Sequence, residues 1–96
     1  MEISVVPVGT GTTSVSAYVA GMIKRLKARE AKFQLGPMGT IVEGDMDELL
    51  EIAKELHAVP FGMGALRVLT TIKIDDRRDK PLSAEGKVRS VEEKLR

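Results

Sequence analysis

The sequence predicts a single α+β domain in which an antiparallel sheet carries two helices on one face, with a third helix at the end. Three observations lead to this prediction. Apolar residues recur at helical spacing in two segments, they alternate along residues 65–75, and glycine and proline at residues 36–39 join two short strands as a hairpin. A chain of 96 residues has room for one hydrophobic core, so we expect residues 1–96 to form one domain.

The first half of the chain predicts a strand, a helix and a hairpin. Residues 2–8 carry apolar side chains on both faces, as in a strand that is covered on both sides. A loop rich in glycine and threonine follows, and Thr13 or Ser14 is expected to cap the helix behind it. Residues 32–35 and 40–43 are the two strands of the hairpin. The apolar positions of the helix are Val15, Val19, Met22, Ile23 and Leu26.

The second helix begins at a capping signal. Asp45 followed by Glu48 matches a capping box in which aspartate stands in for serine or threonine. We expect the helix to end before Pro60, because proline disfavours helical conformation at the residue before it. The residues that it is predicted to bury are Met46, Leu49, Leu50, Ala53 and Leu56.

An alternating strand and a weakly amphipathic helix complete the chain. Ser83 can cap the last helix, which has only a narrow apolar stripe. The order β-α-β-β-α-β-α gives the split βαβ arrangement of a ferredoxin-like sandwich plus a C-terminal helix. One face of the strand at residues 65–75 carries Leu66, Val68, Thr70, Ile72 and Ile74. The stripe of the last helix consists of Val88, Val91 and Leu95.

The second face of the predicted sheet needs a cover. Both helices lie on one face, yet Val6, Val8 and Leu69 point to the other. A second subunit or the third helix would bury them, and a small core with few aromatic residues also favours oligomerisation. The sequence therefore predicts a homo-oligomer, either a dimer or a dimer of dimers (homotetramer).

Composition excludes several classes of function. The net charge of +1 argues against a dedicated nucleic-acid binder. No apolar run approaches the roughly 20 residues of a membrane-spanning helix, and no signal peptide is visible at the N-terminus. The absence of cysteine excludes disulfides and thiolate zinc sites. A cytoplasmic protein without nucleic-acid or membrane partners is the default expectation.

Few residues suggest catalysis. His57 is the only histidine, and no nucleophile or metal-ligand set can be assigned to it, so a structural role near a helix C-terminus is favoured. The loop at residues 9–14 resembles a phosphate-binding loop but lacks the P-loop ending, which favours a plain strand-to-helix loop. Residues 75–80 mix three aspartates with cations, as in a solvated turn. Arg67 is equally compatible with anion binding and with an exposed cation.

The hairpin is the segment in which chemistry is most expected. It carries Met38, a hydroxyl at Thr40 and a carboxylate at Glu43, none of which a turn requires. In a regular strand Thr40 and Glu43 point to opposite faces, so they would serve one ligand only at an edge, a bulge or a subunit interface.

The chain resembles the small thiamine-binding (YkoF-like) family of ferredoxin-like proteins. The resemblance rests on Ser14-Val-Ser-Ala-Tyr18-Val-Ala, on Gly36-Pro-Met-Gly-Thr40-Ile-Val-Glu43-Gly, and on Gly64-Ala-Leu-Arg67-Val with Lys73-Ile-Asp-Asp-Arg77. It implies non-enzymatic binding of thiamine or its hydroxymethylpyrimidine part, for storage, delivery or sensing, with no cofactor. The alternative is an oligomeric regulatory or interaction module that binds another small metabolite or an anion. The binding residues so implied are Ser14, Tyr18, Met38, Thr40, Glu43 and Arg67.

Overall fold

The computed structural model describes all residues, 1–96, and confirms the predicted α+β architecture. Four strands form one antiparallel sheet in the order β2-β3-β1-β4, and each neighbouring pair is antiparallel. The elements are β1 (Glu2–Pro7), α1 (Ser16–Ala28), β2 (Lys32–Leu35), β3 (Thr40–Glu43), α2 (Met46–Gly62), β4 (Val68–Lys73) and α3 (Ala84–Lys94). This connectivity is the split βαβ arrangement of a ferredoxin-like sandwich.

The register of the strands assigns each side chain to a face. Residues directly opposite on neighbouring strands point to the same side of a sheet. Ile3 lies opposite Thr40 on one side and opposite Ile72 on the other, and all three point towards the helices. Glu2, Ile41 and Lys73 are aligned in the same way and point to the second face, which we call the open face.

The core lies between the sheet and the two covering helices. Leu26 of α1, Ile52 of α2 and Val42 of β3 are completely buried, and no polar side chain is buried with them. Gly21 allows α1 and α2 to approach closely, because an added Cβ would lie 3.2 Å from Val59 and 3.3 Å from the sulfur of Met63. The full core is Ile3, Val5, Met22, Leu26, Val42, Leu49, Ile52, Ala53 and Leu56.

Charged side chains join the two covering helices. Arg29 of α1 lies 3.0 Å from Glu55 and 3.4 Å from Glu51, and Arg25 lies 3.7 Å from Glu55. These pairs are largely exposed, so each contributes little to stability, about 0–1 kcal/mol. They do align the basic side of α1 with the acidic side of α2.

Three predicted details of the helices were wrong. Val15 occupies the cap position of α1, and no side chain caps this helix, so neither Thr13 nor Ser14 fills that role. The second helix continues through Pro60 and ends at Gly62. Pro60 is almost completely buried, and its carbonyl accepts bonds from two amides beyond the helix, which offsets the bond that the proline ring removes. In α2, Met46 and Leu50 are exposed, and Ile52 is buried in their place.

The last strand is shorter than predicted. It spans Val68–Lys73, and Leu66 lies before it with 95% of its surface exposed. Gly64 adopts a positive φ of 99° immediately after α2, and Ala65 is buried under the end of that helix. The chain therefore completes its turn before it enters the sheet, which leaves Leu66 outside the strand.

The third helix stands apart from the core. Ser83 caps it, as predicted, because its hydroxyl accepts a hydrogen bond from the Gly86 amide at 2.9 Å. None of its residues is buried, and the predicted stripe of Val88, Val91 and Leu95 faces solvent. The elongated dimensions of 47 × 30 × 20 Å fit a helix that projects from a small sandwich.

Candidate functional site

A groove lies between α1 and the tip of the β2–β3 hairpin. It has a volume of about 770 Å³, within the range of about 300–1,000 Å³ that is typical of small-molecule sites. Its α1 side includes Ser16, Val19 and Ile23, and its hairpin side is formed by Leu35 and Pro37. We call this feature the α1–hairpin groove.

Two serine hydroxyls mark one end of the α1–hairpin groove. Ser14 and Ser16 both line it, and their Oγ atoms lie 3.4 Å apart. The Ser14 amide donates a hydrogen bond to the Thr12 hydroxyl at 3.2 Å, which fixes the loop just before the helix. Because Ser14 does not cap α1, its hydroxyl is free of the helix backbone and can bond to a ligand.

Two residues of the hairpin adjoin the same groove. Thr40 lies directly opposite Leu35 in the β2–β3 pair, so both side chains point towards α1, and Thr40 is half-buried. Met38 follows Pro37 in the turn and is 86% exposed. Of the six predicted binding residues, Ser14, Met38 and Thr40 are therefore grouped at or beside one groove.

Tyr18 and Arg67 lie elsewhere. Tyr18 is about 160° round α1 from Ser16, on the side of Gly21 that faces α2, and it is half-buried. Arg67 lies just before β4 at the far edge of the sheet, where its carbonyl accepts a hydrogen bond from the Val8 amide at 2.8 Å. Its side chain is exposed and makes no ion pair.

Glu43 is already engaged within the protein. It lies on the open face, opposite Lys32 of β2, with which it forms an ion pair at 3.0 Å. Its other carboxylate oxygen accepts a hydrogen bond from the Ala84 amide, the first residue of α3, at 2.5 Å. Thr40 and Glu43 thus point to opposite faces, as strand periodicity predicts, and Glu43 anchors the third helix to the sheet.

Electrostatics at Glu43 follow from these two contacts. The Ala84 amide, and then the Lys32 ammonium, hold the pKa of the Glu43 carboxyl below its usual range, against the opposing effect of partial burial. In return, Glu43 raises the pKa of Lys32. Both groups are therefore charged at neutral pH.

A second cavity of about 380 Å³ lies beside Glu43. It is bounded by the open face and by the first turn of α3, including Ser83 and Lys87. Its charged side chains are largely paired, since Lys87 bonds to Asp75 and Glu43 to Lys32. The turn that follows β4 is likewise held by internal pairs, Arg77 with Asp79 and Arg78 with Asp76, as the sequence suggests.

His57 has a structural environment. Its Nδ1 lies 2.7 Å from the Thr70 hydroxyl, and its ring packs edge-on against Phe61 with centroids 5.6 Å apart. The contact with Thr70 joins α2 to β4, and the contact with Phe61 lies within α2. No group of three or more histidine, aspartate or glutamate side chains is arranged to hold a metal ion.

Two lysines of the groove were missed by sequence reasoning. Lys24 and Lys27, which belong to a run of basic residues in α1, line the α1–hairpin groove but are not among the six predicted binding residues. Helical spacing was the available signal, because Ser16, Ala20 and Ile23 fall on the same side of α1 as these lysines at intervals of three and four residues. The arginines of the run face α2 instead.

The lining of the groove resembles that of small-molecule binding sites. It combines an apolar wall with a few hydroxyl and amine groups, which is the usual composition of a small-molecule site. It contains no histidine, aspartate or glutamate that could act as a general base. None of the helices in the protein is both long and apolar enough to cross a membrane.

Comparison with known proteins agrees with the fold and the motifs. A family model described as "Thiamine-binding protein" matches residues 1–92. The UPF0045 protein YqgV of Bacillus subtilis is 44% identical over 98 residues, which cover 98% of this chain and 94% of that protein.

Solved structures show the same architecture. A hypothetical protein of Methanocaldococcus jannaschii is 39% identical and superposes with a TM-score of 0.86, over 96% of this chain and 93% of the other. A Thermotoga maritima protein, for which a role in thiamine biosynthesis or salvage has been suggested, is 27% identical. It superposes with a TM-score of 0.74 over 94% of both chains.

Proposed function

The chain belongs to the thiamine-binding protein family, and from this premise we propose that it binds thiamine or its hydroxymethylpyrimidine part without transforming it. The site of binding is the α1–hairpin groove. The observation that carries this proposal is a groove of suitable volume that is lined by Ser14 and adjoins the hairpin positions of Thr40 and Met38. Storage, delivery or sensing of the ligand in the cytoplasm would all be served by such a site.

The chemistry of the groove fits an aminopyrimidine. This ring needs one or two directed hydrogen bonds and an apolar wall. The Ser14 and Ser16 hydroxyls supply groups that both donate and accept, and Thr40 adds a third beside the groove. Val19, Ile23 and Leu35 provide the wall.

Two other predicted residues, Glu43 and Tyr18, do not line the groove. Glu43 anchors α3 and does not reach the groove, because its carboxylate is bonded to Ala84 and Lys32. Tyr18 is half-buried and does not line the groove. The lining includes no histidine or carboxylate, and this composition supports a non-catalytic role.

Calorimetric titration tests the proposal. Protein freed of bound metabolite is titrated with thiamine and, separately, with hydroxymethylpyrimidine. We expect Ser14→Ala and Thr40→Ala each to weaken binding by roughly threefold to tenfold, because a typical hydrogen bond contributes about 0.5–1.5 kcal/mol. Ser90→Ala removes an exposed hydroxyl on α3 and is the matched control.

Two results would count against the proposal in different ways. No binding of either compound, free or phosphorylated, would exclude the function. Full affinity in the Ser14→Ala and Thr40→Ala variants would exclude the groove as the site and leave the function standing.

We propose further that the protein works as a homo-oligomer, a dimer or a dimer of dimers. Val6 and Leu69 lie opposite each other on the open face, and Leu69 is 64% exposed. β4 is an edge strand, so one row of its backbone groups is also available for pairing. Two such surfaces on one small protein favour two kinds of subunit contact.

A further inference from the structure

We infer that the α1–hairpin groove selects phosphorylated ligands, namely the phosphate esters of hydroxymethylpyrimidine or of thiamine. This inference rests on the proposed function and specifies the chemical class of its ligand. The charged side chains that line the groove are Lys24 and Lys27, and the lining includes no carboxylate. A groove with only positive charges favours an anionic ligand over the cationic thiazolium ring of free thiamine.

These two lysines differ from the other cations of α1 and its vicinity. Arg25, Arg29 and Lys32 are each paired with a glutamate within 4 Å, whereas Lys24 and Lys27 have no such partner. Their charge is therefore not neutralised inside the protein. A phosphate, with several strong acceptor oxygens, can bind two lysine ammonium groups at once.

The two ends of the groove differ in chemistry, because serines line one end and lysines line the other. Lys24 lies eight residues after Ser16, which is about 12 Å along the helix axis. Val19, Ala20 and Ile23 line the interval between them. Lys24 and Lys27 follow this apolar interval, towards the C-terminal end of α1. A ring at the serine end and a phosphate at the lysine end would fill the groove in one orientation.

The groove offers no carboxylate to the cationic thiazolium ring. Glu43 points to the opposite face of the sheet, where Lys32 and the Ala84 amide occupy both of its oxygens. A phosphate ester would supply the negative charge from the ligand itself. The groove then needs no carboxylate of its own.

Calorimetry at low ionic strength tests this inference with five ligands: thiamine, thiamine monophosphate, hydroxymethylpyrimidine, its phosphate ester, and inorganic phosphate. We expect at least one ester to bind about tenfold more tightly than its parent alcohol, and this preference to fall with added salt. Comparison of each ester with its own parent alcohol shows whether the groove prefers the phosphate ester of hydroxymethylpyrimidine or that of thiamine. Inorganic phosphate shows how much of the affinity needs the ring.

The double variant Lys24→Gln/Lys27→Gln should abolish the preference for the ester over the parent alcohol. The double variant Lys54→Gln/Lys80→Gln is the control, because it removes the same net charge from exposed sites outside the groove. Equal binding of ester and alcohol, or a preference that survives in Lys24→Gln/Lys27→Gln, would overturn the inference and leave the proposed function intact. Absence of binding by all four organic ligands would overturn both.

Discussion

The contact between Glu43 and the Ala84 amide is expected to decide whether the third helix is ordered. An isolated helix of 11 residues is marginal in water, and no residue of α3 is buried. Besides its own cap at Ser83, the helix is tied to the domain by Glu43 and by the Lys87–Asp75 pair. We therefore predict that Glu43→Ala opens α3 locally without unfolding the core.

The expected size of the effect follows from the contact. A hydrogen bond to a charged group contributes about 1.5–3 kcal/mol, and the Glu43 side chain is 24% exposed, so we take the lower end of that range. About 1.4 kcal/mol corresponds to a tenfold change in an equilibrium constant. Hydrogen-exchange protection of residues 84–94 should fall about tenfold, and that of core residues such as Ile52 should not change. Glu43→Gln should have a smaller effect, because its amide oxygen still accepts the bond.

Hydrogen exchange followed by mass spectrometry provides the measurement. Glu93→Ala is the matched control, because this carboxylate lies exposed on the same helix without a hydrogen-bond partner. Unchanged protection of residues 84–94 in Glu43→Ala would refute the reasoning. An equal loss in Glu93→Ala, or a loss spread evenly over the core, would refute it as well.

The same contact has a predictable pH dependence. The pKa of Glu43 is lowered in the folded protein, so its stabilising effect is fully present above the ordinary value of 4.5 and is lost as the pH falls through the lowered native value. Exchange of α3, corrected for intrinsic rates, should therefore accelerate only in strongly acidic solution. In Glu43→Gln this acidic step should disappear, and a step that remained would assign it to another group.

Two further outcomes test the capping and the open face. Asp45→Ala should lower the free energy of unfolding by about 1 kcal/mol in urea denaturation, because the Asp45 carboxylate accepts a 2.8 Å hydrogen bond from the Glu48 amide. Asp45→Asn should retain most of this stabilisation. Leu69→Lys should shift the protein towards monomers in light scattering at unchanged helix content, because Leu69 is already 64% exposed in the single chain. Thr13→Lys, at an exposed loop position, is the control, and an unchanged mass for Leu69→Lys would exclude the open face from the subunit contact.

Much of the fold follows from local patterns. Alternation along the strands and helical spacing in α1 and α2 predicted the order of elements, and Asp45 and Ser83 were recognised as caps because their chemistry is local. The predicted end of α2 before Pro60 was wrong. Local preference opposes a proline in the last turn of a helix, but burial of the Pro60 ring outweighs that preference. Leu66 misled it because alternation does not show where strand pairing stops.

Some features of the candidate site could likewise be predicted from the sequence, whereas others required the tertiary structure. The sequence by itself determined that Thr40 and Glu43 cannot share a face, since strand periodicity is a property of the backbone. It also determined that Ser14 lies between β1 and α1. Only the tertiary structure decided that Ser14 meets the hairpin tip across a groove, and that Lys24 and Lys27 turn towards that groove while Arg25 turns towards α2.

The physical reason is that the partners of these side chains are distant along the chain. Glu43 bonds to the amide of Ala84, 41 residues later, and no local pattern predicts that a carboxylate will cap a helix so remote. The six binding residues implied by resemblance are divided among the groove, the α1–α2 contact, the open face and the sheet edge by packing alone. Periodicity sets the face on which a side chain lies, and packing sets what it meets there.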